Sequence, residues 1–318
     1  MVKRILDREN YVHCADVEKL EATNGIKSKI VELFGKSIEL YDDPWMWHLH
    51  LKITDYCNAK CVFCVEKNCA KNDQPEHFIE NVDKMLAEME KAGILYSVSV
   101  TGGEPTIYPK FVELCEVLKR HNIQFLTMNT NGHWLNKYVD VIDGLFDWIN
   151  ISRHRFTDEE NNKVFGTKVL AVEELRELRA KLKQTKMRIQ CVMEVVDTPE
   201  LLEKFIKVYD FADDTSFRRL MKLGDEYGVD YNLNEDNYVK CLEYCYKNYK
   251  FVEQTIQDYY IYEIYEHNGK NVTFSYSNMA MLRALEKVED DSKIREFIIH
   301  PNGVVSGSWK MDNKIILR

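Results

Sequence analysis

The chain has little proline and little glycine, six and thirteen of 318 residues, and no internal repeat or low-complexity run. That excludes collagen-like and linker-dominated architectures. No apolar stretch approaches the roughly 20 residues that cross a bilayer as a helix. The run Met1-Val2-Lys3-Arg4-Ile5-Leu6-Asp7-Arg8 is charged throughout and lacks the apolar segment of a secretory signal. Basic charge is not in excess: 43 Lys and Arg stand against 52 Asp and Glu, a net charge of −9, which argues against a broad, non-specific grip on nucleic acid. What the chain does have is a hydrophobic share of 45%, enough for a sizeable core, and nine cysteines.

Three of those cysteines stand together in Cys57-Asn58-Ala59-Lys60-Cys61-Val62-Phe63-Cys64, spaced C-x3-C-x2-C. They follow the alternating run Trp47 to Ile53, which reads as a strand. Three thiolates on one short loop can hold three irons of a [4Fe–4S] cluster and leave the fourth iron without a protein ligand. An open position is what a catalytic metal centre needs. The same residues are also compatible with structural zinc, with Cys69 as fourth ligand. A second strand-like run, Leu95 to Thr101, ends in Gly102-Gly103-Glu104-Pro105. Paired glycines at a strand end let a ligand approach the backbone, and the Glu104 carboxylate beside them can take an ammonium group.

Both motifs, in this order and each after a strand, resemble the radical S-adenosylmethionine (SAM) superfamily. The resemblance covers roughly residues 47 to 225 and extends to Asn129-Thr130-Asn131-Gly132 and Asn150-Ile151-Ser152, each at the end of a further strand-like run. It implies an α/β fold, an open (β/α)6 partial barrel, and two cofactors, a [4Fe–4S] cluster and SAM. It implies that Cys57, Cys61 and Cys64 hold the cluster, and that Gly102, Gly103 and Glu104 bind the SAM amine. Asn129 and Asn131 would reach the ribose, Ser152 the carboxylate, and Phe63 would lie near the adenine. Related enzymes often carry an arginine after the glycine that closes the next helical stretch; here Phe165-Gly166 is followed by Thr167 and Lys168, so Lys168 is the expected carboxylate partner, as a point charge rather than a planar fork. In the family, reductive cleavage of SAM yields a 5′-deoxyadenosyl radical that abstracts hydrogen from a substrate, with an electron donor such as flavodoxin or ferredoxin. An oxygen-sensitive cluster implies a reducing interior, so the expected location is cytoplasmic.

Strands are expected near 47–53, 95–101, 124–128, 147–152, 188–194 and 215–221, with helices over His77 to Lys91, Pro109 to Arg120, Val169 to Leu182 and Pro199 to Tyr209. Alternating strands and helices imply right-handed βαβ units and a parallel sheet whose ligand site lies at the carboxyl ends of its strands. Residues 1–46 read as an amino-terminal extension with a short helix over Ile26 to Phe34, residues 47–225 as the barrel, and 226–318 as a substrate-covering region. That region is expected to be helical where it is rich in tyrosine (Tyr238, Tyr244, Tyr246, Tyr249, Tyr259, Tyr260, Tyr262 and Tyr265), and to end in a hairpin, Phe297 to Val305, around Asn302-Gly303. The hairpin resembles the start of a SPASM extension, but Ser306-Gly307-Ser308-Trp309 stands where a cysteine would follow. Cys14, Cys115 and Cys191 read as small buried hydrophobes, and Cys241 and Cys245 as packing residues on one helix face.

Candidate substrate contacts are Gln190, whose neighbours alternate apolar and polar, and two basic groups, Arg153, His154 and Arg155 after the fourth strand and Arg218 and Arg219 on the sixth. Together they predict a cationic mouth and an anionic small-molecule substrate, a nucleotide or sugar phosphate. A ribosomal peptide substrate is the alternative within the same chemistry, and a non-enzymatic iron–sulfur or zinc protein the alternative outside it.

Overall fold

The computed structural model describes residues 2–13, 28–41, 46–64, 75–219, 235–257, 260–277, 293–309 and 313–318. In chain order the strands are β1 (Val2–Ile5), β2 (Ser28–Leu33), β3 (Lys36–Tyr41), β4 (Trp47–Lys52), β5 (Tyr96–Thr101), β6 (Phe125–Thr130), β7 (Trp148–Ser152), β8 (Lys186–Met193), β9 (Asp214–Arg219), β10 (Lys250–Gln257), β11 (Tyr260–His267), β12 (Lys270–Ser277), β13 (Phe297–Ile299), β14 (Val305–Ser306) and β15 (Ile315–Leu317). The helices are α1 (Phe78–Lys91), α2 (Phe111–Leu118), α3 (Val139–Ile142), α4 (Asp158–Phe165), α5 (Val172–Lys181), α6 (Pro199–Val208) and α7 (Glu235–Asn248).

Strands β4 to β9 lie side by side in sequence order, all parallel, each joined to the next through at least one helix. This is the expected open (β/α)6 arrangement, and the sheet does not close on itself. It continues past both edges: β13 adds parallel to β4 and is followed by β14 and β15, while β12 adds parallel to β9 and is followed by β11, β10 and β1. Leu49, Leu51, Val98, Val100, Met128, Ile149, Ile151, Met187, Ile189 and Phe217 are fully buried on the face that the helices cover. The alternate residues, His48, His50, Ser97, Ser99, Asn129, Asn150, Ser152, Gln190, Ser216 and Arg218, form a polar opposite face, as a period-2 pattern with one greasy side requires. Helices start where sequence caps them: Thr157 and Glu160 form a capping box on α4, and Thr198 with Pro199 opens α6.

Two expectations are corrected. The helix read over Ile26 to Phe34 is a β-hairpin from Ser28 onward, because Phe34 (φ 53°) and Gly35 (φ 71°) make a tight reversal between β2 and β3. The tyrosine-rich stretch is helical only through α7; Tyr260, Tyr262 and Tyr265 lie on β11 of an antiparallel meander whose second turn is Asn268-Gly269, both at positive φ. Its tyrosines serve as hydrogen-bond donors. Glu263, fully buried, accepts from the hydroxyls of Tyr11, Tyr265 and Tyr276 at 2.8, 2.7 and 3.1 Å, and Glu203 accepts from Tyr244 and Tyr249 at 2.9 and 2.6 Å. The expected Asn302-Gly303 hairpin forms between β13 and β14. Where an extension cysteine would follow, Ser306 Oγ instead donates to Ser308 O and meets His300 Nε2. Cys14, Cys69 and Tyr259 lie outside the described residues.

Candidate active site

The three close cysteines sit on a loop that leaves β4 and crosses the carboxyl ends of the strands. That loop is held by the backbone of the Gly-Gly turn. Ile53 N donates to Thr101 O at 3.0 Å, Gly103 N to Thr54 O at 2.6 Å and Glu104 N to Tyr56 O at 2.9 Å, so the β4–β5 pairing persists past both strand ends. Only glycine fits. Gly102 has φ +133°, and a Cβ on it would lie 2.4 Å from Thr54 O; on Gly103 it would lie 2.0 Å from Tyr56 O. The glycine pair thus admits the cysteine loop's own backbone, where the sequence suggested room for a ligand. From the other side, Lys60 N donates to Phe165 O at 2.7 Å, tying the loop to the end of α4.

Glu104 is 1% exposed, and its carboxylate accepts from Thr106 N (3.0 Å), Thr106 Oγ1 (2.6 Å), Thr130 Oγ1 (2.6 Å) and Asn131 N (2.6 Å). A carboxylate offers about two acceptor positions on each oxygen, and here three donors converge on Oε1 while Oε2 accepts from Asn131 N. Glu104 thus pins the ends of β5 and β6 together through Oε1 and Oε2. Asn129 and Asn131 separate as well. Asn129 lies in a polar ladder on the open face, donating to Ser99 Oγ at 3.0 Å and accepting from Asn150 Nδ2 at 3.1 Å. Asn131 turns to the cysteine loop, with Nδ2 2.7 Å from Asn58 Oδ1 and 3.9 Å from Cys57 Sγ.

The expected cationic mouth is largely dismantled. Arg153 is 1% exposed and caps backbone carbonyls, giving Nη1 to Asn131 O and Ser152 O and Nη2 to Leu170 O; burial lowers its pKa to about 10. His154 is buried between Phe63 and Phe165, accepts from Val192 N through Nδ1, and is pushed down to about 3 by burial, so it is neutral. Arg155 is paired with Glu194 at 2.5 Å. Arg219 stacks over Tyr238 of α7. Arg218 is on the open face, exposed, in register with Val192 of β8 and Ser275 of β12 and close to the layer that holds Gln190 and Ser216. Ser152 is half-buried at the end of β7, while Lys168 is solvent-exposed beside Gly166. A signal for Arg153 as scaffold was available in the sequence: a strand-end arginine directly after Ser152 continues the alternation inward to the helices, not outward.

The donor set fits an iron–sulfur cluster. Among the described residues no three His, Cys, Asp or Glu side chains gather tightly enough to hold one metal ion. Cys57 and Cys64 nevertheless lie near enough to act on Cys61, whose thiol is pushed up to about 12, first by burial and then by Cys64 and Cys57. A cluster spreads its thiolates over separate irons and supplies the positive charge they lack. Asn58 Nδ2, buried in the same loop without a hydrogen-bond partner among the described residues, is a further donor awaiting an acceptor. Elsewhere Cys115, Cys191, Cys241 and Cys245 are buried free thiols, as expected of packing residues. A surface cleft lined by Tyr11, His13, Leu242 and Tyr246 includes none of the expected site residues. Among the described residues, no helix is long and apolar enough to cross a membrane.

Comparison with known proteins agrees with this geometry. The probable GTP 3′,8-cyclase of Saccharolobus islandicus (strain L.S.2.15 / Lassen #1) is 30% identical over 141 residues, 43% of this chain and 42% of that protein. The GTP 3′,8-cyclase of Actinobacillus pleuropneumoniae serotype 3 is 24% identical over 207 residues, 63% of this chain and 60% of that one. The matches thus span 42% and 60% of these relatives' lengths. Among solved structures, Streptococcus suis SuiB bound to S-adenosylmethionine is similar with a TM-score of 0.61 at 16% identity, covering 86% of this chain and 63% of that one. The anSMEcpe protein with bound AdoMet gives 0.56 at 20% identity, covering 86% and 77%. At such identities the likeness is one of fold. The profile of the radical SAM superfamily matches residues 51–212, half of the chain, over the stretch that carries the cysteine loop, the Gly-Gly turn and strands β5 to β8. The chain belongs to the radical SAM superfamily, whose members use a [4Fe–4S] cluster and SAM.

Proposed function

We propose that this chain is an enzyme that binds a [4Fe–4S] cluster through Cys57, Cys61 and Cys64, binds SAM beside it, and removes a hydrogen atom from a substrate on the open polar face of the sheet. The observation that carries this reading is the locking of the cysteine loop onto the Gly102-Gly103 backbone, which fixes three thiols at the carboxyl ends of the parallel strands. When bound, the cluster supplies the electron that cleaves SAM, and SAM supplies the hydrogen-abstracting fragment. The protein's own part is orientation. Ser152 and the Ser99–Asn129–Asn150 ladder offer polar contacts on the face where SAM and substrate would meet, and Phe63 packs its ring edge-to-face with His154. Fixing a substrate close to the reactive carbon confines the radical to one bond.

For the substrate, Arg218 and Gln190 on the open face support a small anionic molecule, a nucleotide or sugar phosphate, consistent with relatives named as GTP cyclases. The burial of Arg153 and His154 and the pairing of Arg155 with Glu194 favour a second reading, a peptide substrate, as in SuiB bound to its precursor peptide. Anaerobic reconstitution tests the shared chemistry. The unaltered chain should take up about four irons and, with dithionite, release 5′-deoxyadenosine from SAM. Alanine at Cys57, Cys61 or Cys64 should abolish both, and alanine at Cys241 or Cys245 neither. Full iron uptake by the Cys61 variant would refute the ligand assignment.

A further inference from the structure

Asn131 has every polar group of its backbone and side chain engaged. Its N–H donates to Glu104 Oε2 at 2.6 Å, its carbonyl accepts from Arg153 Nη1 at 3.0 Å, and its Oδ1 accepts from His133 N at 3.0 Å. Because Oδ1 is taken, the amide can present only its Nδ2 side to the cysteine loop. Nδ2 donates to Asn58 Oδ1 at 2.7 Å and lies 3.9 Å from Cys57 Sγ. The residue is 6% exposed, and the two groups that clamp it, Glu104 and Arg153, are each 1% exposed. Glu104 is itself fixed by Thr106 and Thr130, and Arg153 by Ser152 O and Leu170 O. Two buried charged side chains and three strand ends therefore converge on the placement of one amide.

That amide does not act alone. Asn58 accepts from Asn131 through Oδ1, which directs its own Nδ2 away from Asn131, and this Nδ2 is buried with no hydrogen-bond partner among the described residues. Ala59 N already donates to Cys57 Sγ at 3.3 Å. The Cys57 corner of the loop thus holds one backbone N–H on the sulfur, a side-chain N–H at its edge, and a third N–H without an acceptor. Hydrogen bonds to cluster sulfurs stabilise the reduced, more negative state and raise its potential.

We propose that Asn131, backed by Glu104 and Arg153, works with Asn58 as a positioning pair that donates hydrogen bonds to sulfur at the Cys57 corner of the cluster and sets how readily the cluster is reduced. The inference rests on Cys57, Cys61 and Cys64 being the cluster ligands. Its test is an EPR-monitored redox titration, with iron counted, of the reconstituted full chain, Asn131→Leu and Asn58→Ala. Both variants should retain about four irons and shift the midpoint to more negative potential, with the iron–thiolate stretch displaced in resonance Raman spectra. Asn58→Ala leaves the Glu104–Asn131–Arg153 network intact, so it decides the matter if Asn131→Leu folds poorly. Full iron with an unchanged midpoint in both overturns the proposal, and so does iron loss from both with secondary structure retained, since the pair would then be only a fastening. An unaltered chain that takes up no iron overturns the ligand assignment instead.

Discussion

Glu104 carries four hydrogen bonds, two of them from backbone N–H groups that cannot rotate away to find another acceptor. Glu104→Ala strands the N–H groups of Thr106 and Asn131 in a buried site, at a cost of about 1–3 kcal/mol each. Denaturant unfolding of the iron-free chain should show a loss of that size, whereas a residue reserved for a ligand would leave the free protein's stability unchanged. The buried histidines give a pH signature. His48 and His154 are both lowered from the ordinary 6.5 to about 3, first by burial, so the unfolded chain takes up protons there that the folded chain refuses. Their contribution is constant above about pH 6.5 and is lost as pH falls toward 3, by up to about 1.4 kcal/mol per pH unit for each. Unfolding measured at pH 7 and pH 5 should show this slope, and His154→Phe should reduce it.

Among the elements, the cysteine loop and the Gly-Gly turn behave as one. Gly103→Ala sets a methyl group against Tyr56 O and must displace the loop that it backs, so it should lose most of its iron on reconstitution while retaining its circular dichroism. Iron content equal to that of the unaltered chain would show that the loop yields without consequence. This pairing also marks how far the sequence could be read. Strands β4 to β8 were legible because apolar and polar residues alternate along them up to a turn, and the motifs named the residues that meet there. What the residues do was legible only where spacing dictates it. Three cysteines on one loop converge of necessity, and the alternation past Ser152 turns Arg153 inward, but which three carbonyls it caps depends on strand ends far apart in sequence. The meander was hidden by an abundance of tyrosine, although Asn268-Gly269 between two alternating runs was its signal. The β2–β3 hairpin was harder, since its reversal uses Phe34, a bulky residue at positive φ, which composition alone does not suggest.

Across the whole molecule, the sheet has one covered face and one polar open face, and Arg218 and Arg219 sit on opposite sides of it. Arg218→Ala should lower substrate-dependent formation of 5′-deoxyadenosine by roughly tenfold or more, the worth of a hydrogen bond to a charged group, while SAM cleavage without substrate persists. Arg219→Ala should leave both rates unchanged. Equal activity of the two variants on the true substrate would favour a neutral peptide. The pairing of β1 with β10 carries a different consequence, one of timing. Val2 to Ile5 pair with Gln257 to Gln254, far downstream in the chain. At ribosomal rates of 5–20 residues per second, β1 waits on the order of 10–50 s for its neighbour to emerge. The cysteine loop finds its backing at Thr101 to Glu104, within some fifty residues of its own synthesis. The backbone groups of Thr101 to Glu104 that hold the cysteine loop are thus in place to pair with it well before the partner of β1 emerges.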